Sequence, residues 1–215
     1  MKTIPSLKML PMQKYRGVNN FDPIRYYYWP VFGIMYRRRV EMALAECTGG
    51  QRVLEVGFGT GLAFLNLCEM YSEVHGVDLT ANIPEVRSVY DDLGIRTFLK
   101  QGDILSLPYP QDHFDTVLLV SILEHLKPGE LARALVEIRR VLKPGGQMVY
   151  GTPVERPFMV FMFKLLGHEI RTEHFSTEKE IAAASRGTFQ SGLVLEMKST
   201  PPLFGAVYEI GHFKK

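Results

Sequence analysis

Three features between residues 53 and 103 have the residue types and order needed to hold a nucleoside. The first is Val53-Leu54-Glu55-Val56-Gly57-Phe58-Gly59-Thr60-Gly61, an apolar stretch that runs into a loop with glycine at every second position. Glycine lets the backbone turn sharply and approach a ligand closely. Free N–H groups where the next helix begins attract a carboxylate or phosphate. Such a loop alone does not choose a cofactor, because nicotinamide-dependent enzymes use a similar device. Asp78 closes the next apolar stretch, Val74-His75-Gly76-Val77, where an acid can accept both hydroxyls of a ribose. Asp103, in Gln101-Gly102-Asp103-Ile104, follows a third stretch and is placed to take an adenine amino hydrogen beside an apolar wall. Either acid alone is an ordinary loop carboxylate. At the ends of successive strands, in this order, they read as a nucleoside pocket.

The elements that must position these groups alternate along the chain. Short apolar strands are expected at 52–56, 74–77, 96–100, 116–120 and 147–151, and helices at 61–70, 84–93 and 129–141. The fourth strand is nearly all apolar, as expected when both faces are covered. Lys143-Pro144-Gly145-Gly146 stops the helix before the fifth strand with a tight turn. Thr177 with Glu180 matches a capping box that opens a helix running to Ser185. Closing strands are expected near 193–198 and 206–212. This alternation implies an α/β fold with a doubly wound, mainly parallel sheet of seven strands and ligands at the strands' carboxyl ends. Residues 1–48 read as a basic, aromatic arm and lid helix, stopped by Thr48-Gly49-Gly50. Residues 49–215 read as the main domain, with a lid insertion near 153–176.

The Glu55-x-Gly57-x-Gly59-x-Gly61 loop resembles the first motif of class I S-adenosylmethionine (SAM)-dependent methyltransferases. Gly76-Val77-Asp78-Leu79, Asp103-Ile104 leading to Leu107-Pro108, His113-Phe114-Asp115, Leu123-Glu124-His125-Leu126 and Arg140-Val141-Leu142-Lys143-Pro144-Gly145-Gly146 follow in order. The set is similar to the small-molecule methyltransferases that include the quinone-biosynthesis enzymes, over about residues 50–152. The resemblance implies a Rossmann-like methyltransferase fold and SAM as the cofactor, with S-adenosylhomocysteine as product. It implies that Glu55, Gly57, Gly59 and Gly61 line the methionine part, Asp78 and Leu79 the ribose and adenine, and Asp103 and Ile104 the adenine edge and face. Ser121 is implied near the methyl group. Phe58 departs from the small residue often found between those glycines, which puts the loop's geometry in question. A dehydrogenase would not explain Asp103 or the Lys-Pro-Gly-Gly turn.

Methyl transfer from a sulfonium is a direct displacement, so positioning supplies much of the acceleration. An amine or hydroxyl acceptor must also lose a proton, for which His125, His168 or His174 is a candidate base. His125 also reads as a helix-start histidine with a structural hydrogen bond, and His168, Arg171 and His174 as surface or packing residues. The spacing of those last three is poor for zinc, and no metal is expected. Tyr26, Tyr28, Trp29 and Phe32 in one apolar segment, and Phe158 and Phe161 with Arg171 in another, are candidates for a lid over the acceptor. Aromatics flanked by arginines suit a membrane interface. The Tyr-x-x-Val-Phe-Gly run followed by arginines resembles bacterial phospholipid N-methyltransferases, which implies a lipid-like acceptor with a headgroup amine. The same segments equally suit lid helices over a soluble metabolite, or a contact between two copies. A SAM-binding regulatory protein without catalysis is the reading from another class, since no catalytic residue is compelled.

Composition sets the outer bounds. With 215 residues, 46% hydrophobic and 22% charged, the chain suits one globular α/β domain. Cys47 and Cys68 offer no disulfide framework. No apolar leader or span of the length a bilayer needs is visible, so the expected location is the cytoplasm, with a peripheral membrane role open. The first 40 residues hold eight lysines and arginines against only Asp22. A basic segment on a mildly acidic body favours an anionic surface, or is simply a solvated arm. The stretch after the fourth strand lacks the Asp/Asn-Pro-Pro-aromatic motif of adenine and glutamine methylation, and no basic–aromatic platform appears. Both absences argue against a nucleic-acid partner.

Overall fold

The computed structural model describes residues 3–15, 24–154, 174–198 and 205–215. Helix α1 (Ile24–Tyr27) and helix α2 (Phe32–Glu46) precede β1 (Gly50–Val56), α3 (Phe64–Met70), β2 (Tyr71–Asp78), α4 (Ile83–Asp91), β3 (Thr97–Gln101) and β4 (Phe114–Val120). Helix α5 (Pro128–Val141), β5 (Leu142–Pro153), α6 (Glu178–Thr188), β6 (Ser191–Lys198) and β7 (Ala206–Lys214) complete the chain. The seven strands lie in the order β3-β2-β1-β4-β5-β7-β6. Strands β3 to β5 are mutually parallel, and β7 alone runs against its neighbours. The order reverses direction between β1 and β4, and the crevice outside their carboxyl ends is the switch point where such sheets take ligands.

Apolar side chains along the central strands alternate between two cores. In β4, Leu118 joins the core on one face, while Val117 and Leu119 join the other, as a period of two requires. Helices α2, α3 and α4 cover the first face through Leu44, Phe64, Leu67 and Val86. Helices α5 and α6 cover the second through Leu131, Leu135, Ile138 and Ile181. The capping box at α6 forms as the sequence indicates, with Thr177 N–H donating to Glu180 Oε2 (2.8 Å) and Glu180 N–H to Thr177 Oγ1 (3.4 Å).

Two segments depart from the sequence expectation. The Lys-Pro-Gly-Gly turn does not separate α5 from its strand. Leu142 already pairs with Phe114 while Gln147 pairs with Thr116, so the turn is an irregularity inside β5. Lys143 is thereby brought to Asp115, with Nζ 2.6 Å from Oδ1. The basic N-terminal residues are not simply a solvated arm either. Leu7 is buried in the first core, Lys8 N–H donates to Asn66 Oδ1 (2.9 Å) and Asn66 Nδ2 donates back to Ser6 O (3.0 Å). Lys8 also pairs with Glu69.

Asp115 fastens three strands. Its Oδ2 accepts the N–H groups of Gln51 (2.9 Å) and Arg52 (2.7 Å) at the start of β1, while Oδ1 holds Lys143 of β5. Burial raises its pKa, but Lys143 and the two backbone donors outweigh burial and hold it below the usual carboxylate range. A depressed carboxylate contributes stability above its unfolded pKa of about 3.9 and loses it as pH falls through the folded value. Asp115→Ala is expected to lower unfolding free energy by about 1–3 kcal/mol at pH 7. Urea melts repeated below about pH 4 should show the gap between variant and wild type closing.

Candidate functional site

The glycine loop is shaped by close approach rather than by free donors. Gly57 N–H donates to Val77 O (2.8 Å), Gly59 N–H to Asp78 Oδ2 (2.9 Å) and Gly61 N–H to Phe58 O (2.7 Å). All three glycine amides are therefore engaged inside the protein. What the glycines supply is space. A Cβ at Gly57, where φ is +71°, would lie 2.1 Å from Ile122 Cδ1. One at Gly61, with φ +74°, would lie 2.5 Å from the Phe64 ring. Positive φ excludes most side chains before any clash is counted. Tyr90 Oη caps the loop from below by donating to Gly61 O (2.5 Å).

Phe58 turns out to be accommodated. Its ring is 3% exposed and lies over Gly76 of β2, where a Cβ would be 2.6 Å from Phe58 Cδ1. It also packs on Phe64 at a centroid distance of 5.6 Å. The missing side chain at Gly76 makes room for the large one at 58, so the departure stabilises the loop's underside.

The loops after β1, β2 and β3 converge on Asp78. Its Oδ2 takes Gly59 N–H, its Oδ1 takes Thr80 N–H and Ala81 N–H (both 2.8 Å), and its carbonyl takes Gly102 N–H (3.1 Å). An ionised carboxylate has about four acceptor positions, so three protein donors leave one unused by them. Leu79 stands 61% exposed at the rim, consistent with an apolar platform awaiting a flat ring. Across from it, Gln101 Nε2 donates to Leu79 O (3.0 Å) and ties the second and third loops together. Asp103 Oδ1 accepts Leu105 N–H (2.9 Å), leaving its second oxygen for a ligand, and Ile104 is buried beside it. Glu55 is buried at the carboxyl end of β1.

Beyond β4, Ser121 adopts φ +57°, a conformation that costs a non-glycine residue about 1–3 kcal/mol. Two bonds hold it there. Ser121 N–H donates to Gly151 O (2.8 Å), and its hydroxyl shares a hydrogen bond with Tyr208 Oη (2.9 Å). Tyr208, from β7, was not signalled by any motif. It lines a cavity of about 40 Å³ together with Met35, Tyr36 and Arg39 of α2, Pro153, Met197 and Val207. Arg39 lies over three rings, with its guanidinium carbon 4.1 Å from the Tyr36 centroid, 5.2 Å from Tyr208 and 5.9 Å from Tyr27. Stacking of this kind stabilises a permanently charged guanidinium away from water.

Glu124 is 1% exposed. Burial pushes its carboxyl up to about 7, against the opposing pull of His125, a hydrogen bond from Thr152 Oγ1 (3.3 Å) and Arg39. His125 and His174, both candidate bases, meet with ring centroids 5.2 Å apart. Of the lid candidates, Tyr26 is buried against Trp29 and Tyr36, Tyr28 donates to Leu10 O, and Trp29 is 39% exposed. His168, Phe158, Phe161 and Arg171 lie outside the described residues, as does the side chain of Phe32. Ile122, Tyr208 and Arg39 escaped the sequence reading because only strand order brings Ile122 against Gly57, Tyr208 to Ser121 and Arg39 over the Tyr208 ring.

Residues 53–146 match a family described as a methyltransferase domain. An uncharacterized methyltransferase of Geobacillus kaustophilus is 28% identical over 62% of this chain and 66% of its own length. The chain spans between 42% and 66% of the length of the first curated relatives it matches. A solved geranyl diphosphate methyltransferase, in complex with GPP and sinefungin, superimposes with a TM-score of 0.68 at 14% identity, covering 86% of this chain and 80% of that one. The [4+2]-cyclase SpnF does so with a TM-score of 0.66 at 21% identity, covering 83% and 80%. At these identities the two structures speak for the fold.

Asp78→Ala removes a charged acceptor shared by three backbone donors, each such bond being worth about 1.5–3 kcal/mol. Titration calorimetry should show S-adenosylhomocysteine binding weakened by about 10-fold or more. Gly57→Ala should abolish it, because the new methyl and Ile122 cannot share that space at a positive φ and the loop has to move.

Proposed function

We propose that this chain is a class I SAM-dependent methyltransferase, a reading supported by the family match over residues 53–146 and by a relative named as a methyltransferase, and that it transfers the methyl group of SAM to an amphipathic, lipid-like acceptor. A phospholipid headgroup amine belongs to that class of acceptor. The observation that carries this reading is the double duty of helix α2. Met35, Tyr36 and Arg39 face the cavity beside Ser121 and Tyr208. The turn and first residues of the same helix leave Trp29 39%, Val31 73% and Ile34 59% exposed, with Arg25 and Arg38 exposed nearby.

Because Glu46, at the other end of α2, meets His212 and Gln147 near the start of β5, the helix begins at the carboxyl-end rim of the sheet. That is the rim that carries the cofactor loop. An apolar turn flanked by arginines at this rim suits docking on an anionic bilayer, with the acceptor reaching the cofactor loop from the bilayer surface. Each apolar side chain withdrawn from water contributes about 1.5–3 kcal/mol, and each arginine near an anionic surface about 1 kcal/mol. Among the described residues no helix is long and apolar enough to cross a membrane, so the association envisaged is peripheral. The fold neighbour in complex with GPP supports an amphipathic acceptor by analogy.

The cyclase with the same fold favours a second reading, a protein of this architecture whose reaction is not methyl transfer. The two part in one experiment. Labelled SAM and vesicles of phosphatidylethanolamine and phosphatidylglycerol should yield labelled lipid and S-adenosylhomocysteine, and the protein should float with those vesicles at low salt. Combined Trp29→Ser, Val31→Ser and Ile34→Ser substitutions should cut flotation about 10-fold while leaving S-adenosylhomocysteine affinity unchanged. Absence of flotation by the wild type would remove the lipid reading in favour of a soluble metabolite. Methyl transfer to no acceptor at all would favour the second reading.

A further inference from the structure

Just past β4 the chain makes a single 3-10 turn at Leu123–His125, and the segment leading into α6 returns to clamp it. Phe175 N–H (2.8 Å) and Ser176 N–H (3.2 Å) both donate to Glu124 O, and Ser176 Oγ donates to Leu126 O (2.6 Å). This three-bond clamp lays His174 against His125, with the rings 5.2 Å apart and nearly perpendicular. One carboxylate oxygen of Glu124 and one nitrogen of each histidine lie within 4.8 Å of one another. We propose that Glu124, His125 and His174 bind a divalent first-row transition cation such as zinc.

Donor type, enclosure and access agree on the class of ion. Two imidazoles and one carboxylate suit zinc, cobalt, manganese or iron, whereas magnesium and calcium take oxygen donors. Metal–ligand bonds of about 2.0–2.2 Å in a tetrahedral shell place donor atoms roughly 3.4 Å apart. From the present spacing, within 4.8 Å, the donors would have to draw together by rotation of the two imidazoles, of which His125 is exposed and His174 half-buried. The carboxylate is the buried, fixed member. Thr152 Oγ1 donates to its Oε2, the kind of outer hydrogen bond that orients a ligand for a metal. Three protein ligands leave a fourth position open for an exogenous oxygen, as in catalytic rather than structural zinc sites.

The place in the fold gives the open position a use. Glu124 lies three residues beyond Ser121, and its charge and that of Arg39 both act on Tyr208, which lines the cavity. An ion there stands on the acceptor side of the cofactor loop, where it can hold an acceptor oxygen. The sequence order, with two ligands adjacent and the third on a distant segment, gives no metal-ligand spacing, which is why a reading from spacing expects no metal.

The test uses the full chain, stripped with EDTA and titrated with cobalt(II). The wild type should bind one equivalent and develop a visible absorption band. His125→Ala and His174→Ala should each weaken binding by about 100-fold or more, while S-adenosylhomocysteine affinity and thermal melting hold. His125 is exposed and His174 half-buried, so the His125→Ala variant keeps the test open even if the buried Glu124→Gln variant fails to fold. No cobalt uptake by the wild type, or equal uptake by both histidine variants, would overturn the site. Cofactor titration on the same samples keeps this apart from the proposed function. Intact S-adenosylhomocysteine binding without cobalt defeats only the metal site, whereas cobalt binding without S-adenosylhomocysteine binding defeats the methyltransferase reading.

Discussion

One carboxylate, that of Asp78, joins the loops after β1 and β2, and its own carbonyl draws in the loop after β3. Backbone donors on an ionised acceptor make short, strong bonds. Three of them fix the glycine loop and the turn into α4, and a fourth bond, from Gly102 N–H to the Asp78 carbonyl, adds the start of the Asp103 loop. The pocket is thereby organised before a ligand arrives, which cuts the ordering cost of binding. Under the proposed function the remaining lone pair is the one a ribose hydroxyl would take, which would make the same carboxylate both scaffold and contact.

Around that knot the site is built by leaving side chains out. Gly57 admits Ile122 and Gly76 admits the ring of Phe58. These are paired absences: each glycine on one strand or loop is matched by a large side chain from another. A loop made this way presents shape, and its own glycine amides are used up in holding that shape. Phe58 is therefore compatible with the fold for a reason that lies on β2.

The cavity beside Ser121 follows a different logic. It is assembled from elements far apart in the chain: α2, the turn after β4, the end of β5 and the reversed strand β7. The antiparallel insertion of β7 between β5 and β6 puts Tyr208 opposite Pro153 and within reach of Ser121. Arg39 is held there by ring faces. The His212–Glu46 pair at 3.1 Å, buried between β7 and α2, anchors the far end of the helix. With that end fixed, the aromatic turn at the near end has to stand at the rim.

Read alone, the sequence determined the α/β alternation, the glycine loop, the order of the acids Asp78 and Asp103 and the capping box at Thr177. Each of these is written in local terms: a period of two or 3.6, a glycine at a tight turn, an acid at a strand end, a cap three residues from its partner. It did not determine that the glycine amides are already bonded, that Lys-Pro-Gly-Gly lies inside β5, or that Phe58 has a vacant place on β2. Nor did it bring His174 to His125, or Tyr208 and Arg39 to Ser121. Those facts depend on strand order and on which strand runs backwards, and both are set by packing between segments more than 80 residues apart in the Ser121–Tyr208 case. Local pattern carries no term for such pairs, so only the tertiary structure decided them.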